Sequence, residues 1–270
     1  MTQIIFLGTG TPNPDPTRQG PSLAVVVDGQ PYFVDCGVGV VRQAVAAGFS
    51  MEVLNHLFIT HLHSDHTLGY PDLIFTPAVT GRQCPLTVWG PPGVQAMTDA
   101  ILSAWSEDIE LRLGGGEPSV PSAYEVLVNE VVEGDQIEVA GGRVTPFAVS
   151  HGAWKHALGY QFRTDDRSIV VSGDTTLNDH LIDHARGCDV LVHEVCSAKG
   201  LAEREPKWQR YHGAYHTTGL DLGRLAAIAQ PKLLLLHHML PFGQPEAQII
   251  EEIRENFEGD VIAADDLGVY

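Results

Sequence analysis

Four side chains that can bind a metal ion fall within six residues of this sequence: His61, His63, Asp65 and His66. They follow the apolar run 57–59, which predicts a buried strand with a loop at its end that presents these side chains. Imidazole nitrogens and a carboxylate at this density suit zinc or another first-row divalent ion, because calcium and magnesium prefer shells of oxygen. The stretch therefore predicts a metal site.

The spacing within this stretch indicates more than one ion. His61 and His63 alternate, so both can point the same way from extended backbone. Asp65 and His66 come where the chain must turn, and they can face a second ion. The alternative is a polar surface turn, but three imidazoles and a carboxylate crowded together would cost stability unless a cation organised them. Two divalent ions are therefore predicted, with zinc as the first expectation and manganese or iron as alternatives.

The motif His-x-His-x-Asp-His resembles that of the metallo-β-lactamase superfamily, and the family's remaining ligands have counterparts in the same order. His151, Asp174 and the pair His237-His238 each stand at the end of a predicted strand. We favour His238 over His237 as the last ligand, because aligning the downstream Pro241 with the family pattern places His237 where a threonine often stands.

The resemblance implies a dinuclear metal-dependent hydrolase in which one carboxylate serves both ions. A hydroxide bridging the ions would be the nucleophile, since two divalent ions that share a water lower its pKa. The implied ligands are His61, His63 and His151 for the first ion, Asp65, His66 and His238 for the second, and Asp174 as the bridge.

Two further residues resemble motifs of the tRNase Z branch of the superfamily. His216 resembles the histidine of that branch's His-Ser-Thr motif, and Glu194 resembles the glutamate of its His-Glu-Ala-Thr motif. We predict that His216 is the general acid, that Glu194 orients it and raises its pKa, and that the ligand Asp65 also orients the nucleophile. The alternative for His216 is a helix-entry residue, because Thr217 and Thr218 can cap the helix that follows.

The apolar pattern by itself predicts an α/β or α+β chain, and the resemblance narrows this to an α+β fold of four layers, an αββα sandwich. Predicted strands lie near 3–7, 22–27, 31–35, 56–60, 86–89, 125–128, 136–139, 144–149, 157–163, 168–172, 189–193, 232–236 and 261–264. Predicted helices lie near 39–48, 92–105, 177–186, 218–229 and 245–256. In the absence of a linker or repeat, residues 1–270 are predicted to form a single hydrolase domain.

The segment 105–124 is long for a connection between a helix and a strand. Its apolar side chains, together with Trp154 and Phe242 from the ligand loops, predict a flap that covers the metals. An ordinary surface excursion or a homodimer contact is the alternative.

Targeting signals are not recognisable in the sequence. No apolar stretch approaches membrane-spanning length, and no signal peptide precedes the first predicted strand. The four cysteines are widely scattered, which favours reduced thiols over a disulfide framework. A cytoplasmic protein without a membrane partner is expected.

The charge balance bears on the substrate. Sixteen Lys and Arg residues face 34 Asp and Glu residues, a formal net charge of −18, whereas nucleic-acid enzymes need a basic surface. Asp174 also follows so soon after His151 that the basic arm which tRNase Z enzymes commonly insert there has no room. We therefore expect a small-molecule ester substrate, as in the arylsulfatase-like and phosphodiesterase-like relatives, and expect nucleic acid not to be a partner. The ester would be a sulfate ester, a phosphodiester, or a carboxylic ester or lactone.

Two other functions stay open. A tRNA 3′-processing endonuclease would agree with the tRNase Z motifs, although the N-terminal signature of that branch is incomplete: the stretch 16–22 keeps Arg18 but lacks the Lys and Asn. Arg18 could bind a substrate anion or brace a loop. A non-catalytic metal-binding protein is the other alternative. The presence of all seven candidate ligands argues against it.

Overall fold

Strands and helices alternate along the chain in the computed structural model, which describes all 270 residues. The strands are β1 (Thr2–Gly8), β2 (Ser22–Val27), β3 (Gln30–Val34), β4 (His56–Phe58), β5 (Leu86–Gly90), β6 (Val126–Glu130), β7 (Ile137–Val139), β8 (Gly142–Ala148), β9 (Leu158–Thr164), β10 (Ser168–Val171), β11 (Val190–Cys196), β12 (Leu233–Leu240) and β13 (Asp260–Ala263). The helices are α1 (Val40–Ala46), α2 (Ser64–Thr67), α3 (Tyr70–Thr80), α4 (Val94–Ala104), α5 (Ser106–Gly114), α6 (Asp179–Ala185), α7 (Ala198–Ala202), α8 (Pro206–Tyr215), α9 (Gly219–Ala229) and α10 (Glu246–Arg254).

The strands form two mixed sheets. The first contains β1 to β6 in chain order, with antiparallel pairing from β1 to β3 and parallel pairing from β3 to β6. The second has the order β13-β12-β11-β10-β9-β8-β7, with antiparallel pairing from β7 to β10 and parallel pairing from β10 to β13. Each sheet thus has one half built from hairpins and one half built from crossovers, which need connecting helices or long loops.

Apolar side chains on the facing sides of the two sheets form a common core, to which Phe6, Val25 and Phe58 contribute from the first sheet and Tyr160 and Val192 from the second. Helices α1, α3 and α4 cover the outer side of the first sheet. Helices α6, α9 and α10 cover the outer side of the second. The predicted α+β fold of four layers is therefore confirmed.

Two helices of at least ten residues lie where the apolar pattern predicts none. Helix α3 contains Pro77, a residue that usually ends a helix, but its buried Leu73 and Ile74 hold it against the first sheet. Helix α8 buries none of its residues, so it lacks the core-facing stripe by which a helix is recognised in a sequence.

The segment 105–124 packs on the outer side of the first sheet instead of over the predicted ligands. The rings of Trp105 and Phe75 lie 5.3 Å apart, and Ile109 and Val120 pack around the buried Ala78 of α3. None of its residues lines the cavity at the predicted ligands. The segment therefore covers α3, because its apolar side chains find partners there, and these contacts do not form the predicted flap.

Two further features concern membrane-spanning helices and the cysteines. No helix has the length and apolar character needed to cross a bilayer. All four cysteines are free, and Cys36, Cys188 and Cys196 are buried.

Candidate metal centre

The predicted ligands meet at one edge of the sandwich, where strands of both sheets end. The loop with His61 to His66 follows β4, His151 follows β8, and Asp174 follows β10. Gly173 has a φ of +61°, and an added Cβ there would lie 2.8 Å from a backbone oxygen, so glycine permits the sharp turn that aims Asp174 at the cluster. The structure thus brings together residues that are far apart in the sequence.

His61, His63, His151 and Asp174 form the first group, with ligand atoms all within 4.8 Å of one another. His63 Nδ1 lies 3.0 Å from His61 Nε2 and 3.1 Å from His151 Nε2. Asp174 Oδ2 lies 4.0 Å from His61 Nε2 and 3.9 Å from His151 Nε2. Three nitrogens and one carboxylate oxygen are a donor set that zinc accepts.

Asp65, His66 and His238 form a second group beside the first. Asp65 Oδ2 lies 3.2 Å from His238 Nε2 and 3.6 Å from His66 Nε2. Asp174 borders this group as well, with Oδ1 3.5 Å from His66 Nε2 and Oδ2 3.7 Å from His238 Nε2. The arrangement is compatible with a binuclear metal site, and Asp174 adjoins both groups of side chains.

Several donors of the cluster have no hydrogen-bond partner within the protein. His66 Nε2 and Asp174 Oδ1 are buried and unpaired. Because a buried polar atom without a partner costs free energy, and a buried carboxylate costs more than a neutral group, the cluster is unfavourable by itself. A pair of divalent cations would supply the missing interactions, so the residues present fit the metals that the sequence predicts.

Hydrogen bonds behind the ligands fix which imidazole nitrogen faces the cluster. His151 Nδ1 donates to the backbone oxygen of Tyr215 at 2.8 Å, and His66 Nδ1 donates to Asp35 Oδ2 at 2.7 Å. A hydrogen bond donated by Nδ1 places the ring proton on that nitrogen, so Nε2 of each ring keeps its lone pair for a metal. Asp35 is itself held by the backbone N–H of Thr60 at 2.8 Å. The sequence alone does not assign this role to Asp35, since a single aspartate after a strand gives no local signal of it.

Asp35 offers a direct test of this support. We expect Asp35→Asn to weaken metal binding about 10- to 100-fold, the usual cost of losing a carboxylate behind a histidine ligand. The measurement is competition with a chelator of known affinity. Asp72→Asn on α3 is the control, since Asp72 bonds Thr76 of its own helix. Equal metal affinities for Asp35→Asn and the wild type would contradict the proposed support.

An irregularity in β12 decides which histidine of the pair 237–238 reaches the cluster. Glu194 pairs with His237 and Val195 with Met239, so His238 is the extra residue of a β-bulge, and its φ is +45°. A bulge redirects a side chain that would otherwise follow the alternation of the strand. His238 points to the cluster, whereas His237 packs with its ring 5.8 Å from that of Phe6.

His216 and Glu194, the predicted acid and its partner, lie next to the ligands. His216 belongs to a group with Asp174 and His238, and its Nδ1 is 3.3 Å from Glu194 Oε2. Glu194 is fully buried, and its Oε1 accepts the backbone N–H of Thr217 at 2.9 Å. Thr218 caps α9, as the alternative for this stretch requires, so His216 stands at a helix entry and beside the cluster at once.

The electrostatics of this pair differ from the expectation. Burial lowers the pKa of His216 to about 4, while the nearby Asp174 acts in the opposite direction. Burial raises the pKa of Glu194 well above its usual value, and Asp174 raises it further. The carboxylate therefore does not simply raise the pKa of the imidazole. Nδ1 of His216 and Oε2 of Glu194 face each other at 3.3 Å, and both atoms are buried.

A cavity of about 390 Å³ opens above the cluster. Its floor is formed by the predicted site residues His63, Asp65, Asp174, His216 and His238. Phe242 lines its wall, as the sequence predicts. The other wall residues were not predicted from the sequence: Pro12, Asn13, Arg204, Trp208, Tyr211, His212 and Leu240. Helix α8 thus forms part of the cavity wall, a role that was predicted for the segment 105–124.

Arg18 braces the N-terminal loop. Its guanidinium donates to Thr9 Oγ1 at 2.6 Å and to the backbone oxygen of Ala264 at 3.0 Å, and it pairs with Glu246 at 3.1 Å and Asp265 at 3.4 Å. Of the two roles considered for Arg18, these contacts favour the structural one.

Comparison with known proteins agrees with this geometry. Residues 32–239 match the family model described as the beta-lactamase superfamily domain, which covers most of the chain. The chain belongs to the metallo-β-lactamase superfamily. A solved metallo-beta-lactamase fold protein from Bacillus subtilis, YhfI, superposes with a TM-score of 0.76 over 100% of this chain and 99% of its own, at 19% identity. Human tRNase Z, short form, superposes with a TM-score of 0.72 over 99% of this chain and 98% of its own, at 22% identity.

Curated members of the superfamily correct one expectation from the sequence. The Ribonuclease Z of Mycobacterium bovis (strain BCG / Pasteur 1173P2) is 33% identical over 275 residues, which cover 99% of this chain and 97% of the relative. The prediction that nucleic acid is not a partner is therefore wrong, as relatives of this kind are ribonucleases. Such full coverage also leaves no space for a long inserted arm in that relative, so the missing arm does not separate this chain from Ribonuclease Z.

Proposed function

We propose that the protein is a metal-dependent endoribonuclease of the tRNase Z type, which hydrolyses a phosphodiester bond near the 3′ end of a precursor tRNA. The observation that carries this proposal is the His216–Glu194 pair beside two groups of metal-binding side chains that share Asp174. Such a pair supplies a proton donor for the leaving oxygen, which an idle metal-binding protein would not need.

In this proposal each site residue has a defined task. His61, His63 and His151 would hold one ion, Asp65, His66 and His238 would hold the other, and Asp174 would serve both. Zinc is the proposed metal, with manganese and iron as alternatives. When bound, two divalent cations lower the pKa of a water that they share and offset negative charge on the attacked phosphate.

The protein's own groups then complete the reaction. Asp65, which lies on the cavity floor, orients the attacking water. His216 donates its proton to the leaving ribose oxygen as the phosphorus–oxygen bond breaks, and Glu194 holds the imidazole in place through Nδ1.

The acidic composition is compatible with an RNA substrate because net charge describes the whole surface. The phosphate to be cleaved meets a local environment: the metals themselves and Arg204 on the cavity wall. The guanidinium of Arg204 lies 4.6 Å above the ring of Phe242. Few basic groups take part, so we expect binding that is less sensitive to salt than in enzymes with a broad basic surface.

The test is cleavage of a labelled precursor tRNA that carries a 3′ extension. We expect one endonucleolytic cut that releases the extension, with activity lost in chelator and restored by Zn²⁺ or Mn²⁺. Mature tRNA without the extension is the control substrate. If the metal-loaded protein leaves the precursor intact, the proposed function is incorrect.

A further inference from the structure

Helix α8 carries an aromatic stripe that does not face the core. Trp208, Tyr211, His212 and Tyr215 stand at positions i, i+3, i+4 and i+7, which lie on one side of a helix. In a globular protein such a stripe is normally buried, yet no residue of α8 is buried, and Trp208 and Tyr211 are each 43% exposed. We call these four residues the aromatic face of α8.

The aromatic face adjoins the metal centre. Trp208, Tyr211 and His212 line the same cavity as Asp65, Asp174 and His216. At the other end of the stripe, the backbone oxygen of Tyr215 accepts the hydrogen bond from His151 Nδ1. The helix therefore contacts a predicted ligand directly, and its exposed rings lie beside the predicted metal-binding side chains.

The rings are also arranged to receive a flat group. The rings of Trp208 and Tyr211 are nearly perpendicular at 88°, with centroids 6.0 Å apart, so they form a corner. The other contacts stiffen this corner, because Trp208 stacks on His212 at 26° and Tyr211 stacks on Tyr215 at 26°. A flat ring stacked on Trp208 would present its edge to Tyr211, the geometry that aromatic groups prefer.

We propose that the aromatic face of α8 binds an unpaired nucleobase of the RNA strand next to the scissile phosphate. This inference rests on the proposed function and adds that the strand beside the cut is single-stranded, because a base must leave its helix to stack on a protein ring. Aromatic rings bind bases of any sequence in this way, while the cation of Arg204 on the same cavity wall meets the backbone. The aromatic face of α8 thus holds the strand in a protein whose overall charge repels RNA.

The test compares two probes of the same length and charge: a labelled oligouridylate and an abasic oligomer of ribose phosphates. Binding to the metal-loaded protein is followed by fluorescence anisotropy, and a gel checks that the probes stay intact. The wild type should bind the oligouridylate more tightly than the abasic oligomer. In Trp208→Ala and Tyr211→Ala that preference should fall by about tenfold for each stacked base. Trp208→Phe should restore most of it.

Trp105→Ala is the matched control, since Trp105 is exposed to the same 43% but lies against α3, and this variant should keep the full preference. With precursor tRNA, Trp208→Ala should raise KM more than it lowers kcat. If the wild type cleaves precursor tRNA but binds both oligomers equally, the aromatic face of α8 does not bind a base, and the proposed function is unaffected. Preference for the oligouridylate without any cleavage would support base binding by the aromatic face of α8 and contradict the proposed function.

Discussion

Asp174→Ala should lose both metal and activity, with kcat/KM reduced by more than the roughly 10²–10³-fold that removal of one electrostatic group costs an enzyme. The reason is its position, because this carboxylate lies within 4.0 Å of His61, His66, His151 and His238 at once. Its loss would remove the carboxylate proposed to serve both ions and would leave the histidines of both groups facing one another. The measurements are elemental analysis of the purified variant and the rate of precursor cleavage.

Asp174→Asn sharpens this test, since it keeps the shape of the side chain and removes the charge. We expect it to bind at most one of the two ions. Asp183→Asn on the exposed surface of α6 is the control and should keep both ions and full activity, because Asp183 pairs only with Arg186 in solvent. An Asp174→Ala protein that retained two ions and normal turnover would contradict the proposal that Asp174 is a ligand of both ions.

His216→Ala should keep its metals and lower kcat by about 10²–10⁴-fold, the usual contribution of a general acid. His216 lies beside the cluster, but its Nδ1 faces Glu194 Oε2 at 3.3 Å. Its proposed task is therefore proton transfer and not metal binding. His180→Ala is the matched control, because this histidine of α6 lies on the surface and pairs with Glu133. A normal kcat with full metal content in His216→Ala would refute its role as the acid.

Glu194→Gln separates positioning from a purely structural role. The amide oxygen of glutamine can still accept the hydrogen bond from Thr217, so the fold should persist, while the carboxyl group that faces His216 Nδ1 is lost. If Glu194 acts through His216, the double variant should be no slower than His216→Ala, as expected for two residues that work as a unit. If the loss of kcat in the double variant equals the product of the losses in the two single variants, Glu194 acts independently of His216.

Most of the ligands could be predicted because they follow a strand, and strands are the elements whose apolar runs are easiest to recognise. His61, His151 and Asp174 all lie where their predicted strands end. The choice of His238 over His237 could not be derived from alternation, since it depends on a bulge that only pairing with β11 reveals.

The walls of the site were harder to predict for a physical reason. A helix is recognised by the stripe that it buries, and α8 exposes its stripe to the cavity. Conversely, the apolar residues of 105–124 suggested a flap but pack on α3. Asp35 gave no signal because its role depends on His66, which lies 31 positions away in the sequence and only 2.7 Å away in space.

The exclusion of a nucleic-acid partner was wrong because the net charge of the whole chain was used to judge one local site. A net charge of −18 averages over the whole surface, whereas the substrate meets one cavity with Arg204, aromatic rings and two predicted metal sites. Net charge is informative about long-range steering and solubility, and it says little about a site that supplies its own cations.

The most direct test of the central claim is the metal content of the purified protein, measured by elemental analysis and followed while a chelator removes the ions. The geometry predicts two divalent ions per chain in the wild type, with precursor cleavage lost as they are removed and regained on their return. A protein that bound no divalent ion, or that cleaved RNA equally well without one, would contradict the account.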